Sequence, residues 1–197
     1  MKDINIILFD DFTTLDAMGP VEVFRCLEKM YEINFYSIDG KDVKSNSNLC
    51  IRTKPFSEIR NYDLAVIPGG MGTRSLVSDY YFIEKLKNIC EKSENVLSVC
   101  TGSALLAKTG LLNGRKATSN KMALNWVIEQ NNEVIWQKKA RWVVDGKYYT
   151  SSGITAGIDM ALGFVKDKIS EDSARKIAIA LEYIWNEDSE NDEFAVK

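Results

Sequence analysis

The stretch Val96-Leu97-Ser98-Val99-Cys100-Thr101-Gly102-Ser103-Ala104-Leu105-Leu106-Ala107 decides how this chain folds. A short run of β-formers ends at Cys100, a small-residue turn follows, and a helical pattern then begins. Strand, cysteine, tight turn and helix is the layout that presents a nucleophile at the top of an α/β sheet. The first N–H groups of the following helix would face the sulfur, a field that favours a thiolate. The competing reading is a cysteine buried in a core strand, the use assigned here to Cys26, Cys50 and Cys90. Thr101-Gly102 favours the nucleophile, because glycine lets a helix start packed close beneath the sheet.

The 197 residues suit one domain with a sizeable core. That domain is expected over residues 1–186, with an acidic tail over 187–197 that is frayed or disordered. The net charge of -3 offers no basic surplus for phosphates, so nucleic acid is not an expected partner. No signal-peptide pattern opens the chain and no apolar run approaches membrane-spanning length. Four scattered cysteines do not read as a disulfide framework. The expectation is a soluble, cytoplasmic protein with reduced thiols that acts on a small molecule. The sequence contains no histidine. No Cys-His dyad, Ser-His-Asp triad or histidine metal site can therefore form within it. The cysteine spacings match no zinc pattern, and neither metal nor cofactor is expected. An acid–base partner must be a carboxylate, a tyrosine, a lysine, a hydroxyl or water.

Ile4-Asn5-Ile6-Ile7-Leu8-Phe9 is a nearly continuous apolar run, short enough for a buried strand. A loop from Asp10 to Asp16 follows. Gly19-Pro20 then opens a helix that turns Val23, Phe24, Leu27 and Met30 to the sheet. Ile33–Ile38 and Leu64–Ile67 read as further strands. The second ends at Pro68-Gly69-Gly70, where glycines let backbone N–H groups turn towards a ligand. A helix over Tyr80–Lys92 precedes the Cys100 strand, and Gly110 caps the helix after it. Another helix is marked by Met122, Ala123, Trp126 and Val127. Trp142 to Thr150 is a hairpin around Asp145-Gly146. Thr155 is an N-cap for the next helix, and the last carries Ile177, Leu181, Ile184 and Trp185 on one stripe. Strands alternating with helices make an α/β fold with a mainly parallel sheet. Ligands bind beyond the carboxyl ends of such strands. The loops bearing Asp16, Gly69-Gly70 and Cys100 are expected to meet there.

These stretches together resemble the ThiJ/PfpI superfamily. The resemblance rests on Phe12-Thr13-Thr14-Leu15-Asp16-Ala17-Met18-Gly19-Pro20, Ile67-Pro68-Gly69-Gly70, Val99-Cys100-Thr101-Gly102-Ser103, the run from Ala107 to Thr118, and Ser152-Gly153-Ile154-Thr155-Ala156-Gly157-Ile158-Asp159. Within the superfamily the pattern is most similar to isonitrile hydratases, and also to the amidotransferase-like domains of some AraC-type regulators. The absence of a helix-turn-helix extension lowers the regulator reading. The resemblance implies a flavodoxin-like three-layer sandwich with Cys100 at a nucleophile elbow. It implies Cys100 as nucleophile, Asp16 as its carboxylate partner and Thr101 as a hydroxyl and backbone donor. It places the N–H groups of Gly70 and Thr101 in an anion-stabilising pocket, with Gly69 and Ile154 among the binding residues. It also implies a homodimer. Relatives commonly carry histidine after the Ala-Thr stretch, where this chain has Ser119-Asn120. Protease-like members have histidine directly after the cysteine, where Thr101 stands. Peptidase and glyoxalase-like activities are disfavoured accordingly.

The implied activity is a cysteine-dependent hydratase or hydrolase, foremost hydration of an isonitrile to an N-substituted formamide through a Cys100 thioimidate. The alternatives are a redox or stress-response protein with an oxidisable Cys100, and a non-catalytic ligand-binding module. Asp16 reads equally as a helix cap or as a catalytic acid sharing one proton with Cys100. Glu22 is a fallback for it. Asp159 reads as a favourable charge at a helix start, and Arg141 and Trp142 as strand-face packing in preference to bordering the pocket. Tyr183 and Trp185 read as core or dimer surface.

Overall fold

The computed structural model describes residues 1–195; the tail expectation for residues 196 and 197 lies outside them. The first half comprises β1 (Lys2–Ile7), α1 (Thr14–Arg25), β2 (Tyr31–Ser37), β3 (Val43–Lys44), β4 (Cys50–Ile51), β5 (Lys54–Pro55), β6 (Leu64–Ile67), α2 (Thr73–Leu76) and α3 (Tyr80–Lys92). The second comprises β7 (Asn95–Val99), α4 (Gly102–Lys108), β8 (Lys116–Ala117), α5 (Leu124–Gln130), β9 (Ile135–Trp136), β10 (Trp142–Asp145), β11 (Tyr148–Ser151), α6 (Ala156–Lys168) and α7 (Glu171–Ala180).

Seven strands form one sheet in the order β10-β11-β7-β6-β1-β2-β5. All neighbours are parallel except the β10–β11 hairpin. Strands buried on both faces read as continuous apolar runs, and β1 shows it: Ile4, Ile6 and Ile7 are fully buried. Helices α1 and α7 both pack on α6, and α2 to α5 form a second group through α4. Edge-to-face rings tie α1 to α6 and α6 to β11, with Phe24–Phe164 centroids 5.9 Å apart and Tyr149–Phe164 5.3 Å. Phe82 of α3 packs against Phe9 and Phe56. The result is the expected α/β sandwich around a mainly parallel sheet. Among the described residues no helix is long and apolar enough to cross a membrane.

Several boundaries differ from expectation. Helix α1 starts at Thr14, so Pro20 lies inside it and leaves the Asp16 carbonyl without its usual N–H donor. It ends at Arg25, which leaves Met30 beyond it and half-exposed. Met122 precedes α5 and is fully exposed, while α7 stops at Ala180 and Ile184 faces solvent. Thr155 occupies the cap position of α6, but its hydroxyl caps nothing and lies 3.5 Å from Arg141. Of the cysteines assigned to core strands, Cys90 is buried on α3, Cys26 is half-buried and Cys50 is exposed.

The acidic tail is where the difference is largest, because its described part is held down at several points. Ser189 accepts the amides of Arg141 and Trp142 at 2.8 and 3.2 Å, and Asp192 donates its amide to Lys139 at 2.7 Å. Asp159 is the anchor. Its buried carboxylate pairs with Arg141 at 2.6 Å and accepts from the Tyr183 hydroxyl at 3.1 Å and the Asn186 amide at 3.0 Å. Its carbonyl accepts the Trp185 indole N–H. Arg141 reaches on to buried Asp192 at 3.6 Å. Arg141, Asp159, Tyr183 and Trp185 thus form one polar network, a role their sequence positions did not suggest. Removing one partner of a buried ion pair leaves an uncompensated charge, at a cost of about 3–5 kcal/mol. Asp159→Ala is therefore expected to lower the urea midpoint by that order and to speed amide exchange at Asn186 and Asp192. Unchanged protection of those amides would show that the tail is held by other means.

Candidate active site

Parallel strands bring their carboxyl ends to one edge, so the loops after β1, β6, β7 and β11 converge. Val99 lies opposite Ser151 in the ladder. The next residue on each strand continues the contact, with the Cys100 N–H donating to the Ser152 carbonyl at 3.1 Å. Cys100 has φ +56°, a left-handed conformation that costs a non-glycine residue about 1–3 kcal/mol. Its carbonyl is pinned by the Ser103 and Ser119 hydroxyls at 3.0 and 2.8 Å. The strain is held by these three bonds, and the sulfur is lifted off the strand axis.

Asp16 comes from the first turn of α1 and is fully buried. It is no helix cap: its Oδ2 accepts the Gly69 amide at 3.0 Å across the loops. Its Oδ1 is buried and has no hydrogen-bond partner among the described residues. The Cys100 thiol is close enough to favour the ionised carboxyl. Burial pushes the Asp16 carboxyl up to about 7, against the opposing pull of the Gly69 N–H and the thiol. The Cys100 thiol is pushed up to about 12, first by burial and then by the Asp16 charge. The Thr101 N–H and the Asn120 amide favour the thiolate but do not prevail. Burial thus outweighs the donors that favour a thiolate, and the proton of the pair rests on sulfur. Glu22 takes no part, being exposed and paired with Arg25 at 3.1 Å.

The residues assigned to the anion pocket divide their work. Gly69 has no room for a side chain: a Cβ there would stand 2.6 Å from the Thr101 nitrogen and 2.9 Å from the Asp16 Oδ2. The Gly69 amide holds Asp16, and the Gly70 amide donates to the Thr101 hydroxyl at 3.0 Å. Thr101 Oγ1 also meets the Thr73 hydroxyl at 3.2 Å. In this resting arrangement the Gly70 N–H is occupied, and the Thr101 N–H is the backbone donor that faces the sulfur.

Asn120 is the site residue that sequence reasoning left without a role. Its side-chain amide lies against the Cys100 sulfur, while its Oδ1 caps the Ala123 amide at 3.0 Å. A Cβ on Gly153 would meet its Nδ2 at 2.6 Å, so Gly153 makes the seat for it. The available signal was the position itself, where the resemblance led to an expectation of histidine. A cavity of about 220 Å³ lies on the far side of Asn120, walled by Met122, Ser152, Ile154, Thr155 and Phe194 among others. Cys100 is not in that wall; Asn120 and Ser152, which touch Cys100, are. Ile154 is thus in the cavity wall, one layer from the sulfur. Larger cavities of about 660 and 570 Å³ lie elsewhere, beside Trp136 and Val144 and beside Phe56 and Tyr81.

A carboxyl whose folded pKa is raised stabilises the fold below its unfolded pKa, and that stability is lost as pH rises through the folded value. For Asp16 the window runs from about 4 to about 7. Asp16→Asn keeps an acceptor for the Gly69 amide and removes the buried charge. Urea denaturation across this window is expected to show the wild type losing up to ~4 kcal/mol relative to Asp16→Asn. Parallel curves for the two proteins would mean that Asp16 ionises in the fold as it does in water.

Comparison with known proteins follows the same geometry. A family model described as DJ-1/PfpI matches residues 2–167. The isonitrile hydratase of Pseudomonas putida is 31% identical over 183 residues, covering 91% of this chain and 78% of that protein. The HTH-type transcriptional regulator GbdR of Pseudomonas aeruginosa is 26% identical over 170 residues, 83% of this chain and 46% of the regulator. The crystal structure of a ThiJ/PfpI family protein from Pseudomonas syringae superposes with a TM-score of 0.80 at 28% identity, covering 92% of this chain and 75% of that one. With its cysteine elbow, its buried aspartate and a family match across most of its length, this chain belongs to the DJ-1/PfpI family.

Proposed function

We propose that this protein is a cysteine-dependent hydratase that converts a small isonitrile to an N-substituted formamide. The observation that carries the reading is the buried Asp16 carboxyl beside the Cys100 thiol, with Oδ1 unoccupied by any donor among the described residues. Similarity to an isonitrile hydratase along nearly the whole chain supports the choice of substrate.

The pair starts with one proton, on sulfur, and Asp16 ionised. Asp16 takes the thiol proton and delivers it to the terminal carbon of the isonitrile as sulfur bonds to that same carbon. The product is a thioimidate, R–N=CH–S–Cys100. Water then adds across the C=N bond, its hydroxyl to carbon and a proton to nitrogen, with Asp16 relaying the proton. The tetrahedral adduct collapses: the carbonyl forms, the C–S bond breaks, and the hydroxyl proton returns to sulfur. One water is consumed and R–NH–CHO is released. No amine leaves, so no strong acid is needed, and a histidine-free site suffices. The Thr101 N–H and the Asn120 amide stabilise the transient thiolate. An oxidisable sensor is the weaker reading, because it is the thiolate that attacks a peroxide and this sulfur rests buried and protonated.

Incubation with a panel of small isonitriles, followed by mass spectrometry, is expected to give the matching formamides. Cys100→Ala should abolish the product. Asp16→Asn should cut kcat by about 10²-fold or more, the usual worth of a positioned acid–base group. The kcat/KM of the wild type should rise through about pH 7 as Asp16 ionises. Absence of formamide across the panel, from protein whose Cys100 still alkylates, would reject the hydratase.

A further inference from the structure

Arg74 is a cation that the hydration chemistry does not use. It lies on α2, directly after Thr73, whose hydroxyl bonds Thr101 beside the nucleophile. Its guanidinium sits over the Trp126 ring of α5, with Cζ 3.3 Å from the ring centroid. The turn that enters α5 carries Asn120, the residue against the sulfur. Arg74 therefore spans from the loop on one side of Cys100 to the helix on the other. Among the described residues it pairs with no carboxylate, and its Nη1 is buried with no acceptor.

That arrangement is costly without a ligand. The side chain is only partly buried, but the covered Nη1 has exchanged water for no acceptor, and a donor left unmade in that way is unfavourable. Stacking satisfies the face of a guanidinium but not its edge, and the edge is what binds a planar oxyanion with two parallel hydrogen bonds. A lysine could not be held this way, since it has neither a face to stack nor a fork to aim. Burial holds the Arg74 guanidinium below its ordinary value, while a negative Cys100 would favour its charge, so the two sense each other.

We propose that Arg74 is the anion-binding residue of the Cys100 site and that it receives a carboxylate carried by the substrate. Trp126 fixes the plane of the guanidinium and Nη1 supplies one of the donors. The proposal rests on Cys100 being the reactive group, and it narrows the substrate to a small molecule with a carboxylate near the carbon that sulfur attacks.

Iodoacetate and iodoacetamide separate the two ideas, since they differ only in carboxylate against amide. With either, sulfur bonds to the methylene carbon, iodide leaves with its electron pair, and the thiol proton passes to solvent. The anionic reagent ordinarily lags the neutral one at a thiol, and Asp16 would widen that lag. Rates at Cys100 are read by intact mass in protein whose exposed Cys50 and half-buried Cys26 are replaced by serine. The expected result is that iodoacetate is the faster reagent. In Arg74→Gln the iodoacetate-to-iodoacetamide ratio should fall at least tenfold, and in Arg74→Lys it should recover only in part. Far-ultraviolet circular dichroism of the lysine variant guards against a folding effect. Equal ratios in all three proteins overturn the carboxylate assignment and leave the nucleophile intact. Failure of both reagents to label Cys100 overturns the nucleophile, and the assignment with it.

Discussion

Everything at the catalytic edge depends on a lack of space at Gly69. Three loops approach so closely there that a single methyl group would strike the Thr101 backbone, the Thr101 hydroxyl and the Asp16 carboxylate together. The crowding turns a distant aspartate, from the first turn of the first helix, into a neighbour of the cysteine. It also excludes water from both groups. Desolvation is therefore the leading cause of the shift on each, pushing the carboxyl up to about 7 and the thiol up to about 12. The same close approach that brings the partners together keeps them from both being charged.

This ordering of effects matters for how such elbows are read. A helix end and a backbone N–H beside a cysteine suggest a thiolate, and those donors are present here. Their contribution is smaller than the penalty for placing charge in a nearly dry pocket with another acid. A pair that holds one proton, on sulfur beside an ionised aspartate, and forms the thiolate only as the reaction proceeds suits addition to an isonitrile, in which sulfur and proton go to the same carbon. It suits a peroxide sensor less well, because that chemistry needs the anion at rest.

The sheet, the elbow and the meeting of Asp16, Gly69 and Cys100 were legible because each is written locally: apolar runs, a small-residue turn, glycines at strand ends. Asn120 was not, since an asparagine after a short strand reads as a turn residue, and only its packing against Gly153 and the sulfur gives it a role. Arg74 was hidden for the same reason, its partner Trp126 lying far along the chain. The segment after Asn186 looked unstructured because its composition is polar and acidic. Its order comes from Asp159 and Arg141, residues of other elements, and composition carries no record of such long-range pairs. Helix ends were misjudged where a proline or an apolar residue matched a pattern that the backbone does not follow, as at Pro20 and Ile184.

Strand β10 closes one side of the sheet, and such a rim is a ready template for a strand from another molecule. Here the Ser189 carbonyl occupies the amides of Arg141 and Trp142 where that rim begins. A segment tethered through Asp159 and Asp192 thus doubles as a guard against edge-to-edge stacking. Loosening it would show first as a change in colloidal behaviour rather than in chemistry: a protein still able to react, but increasingly inclined to grow its sheet into its neighbours.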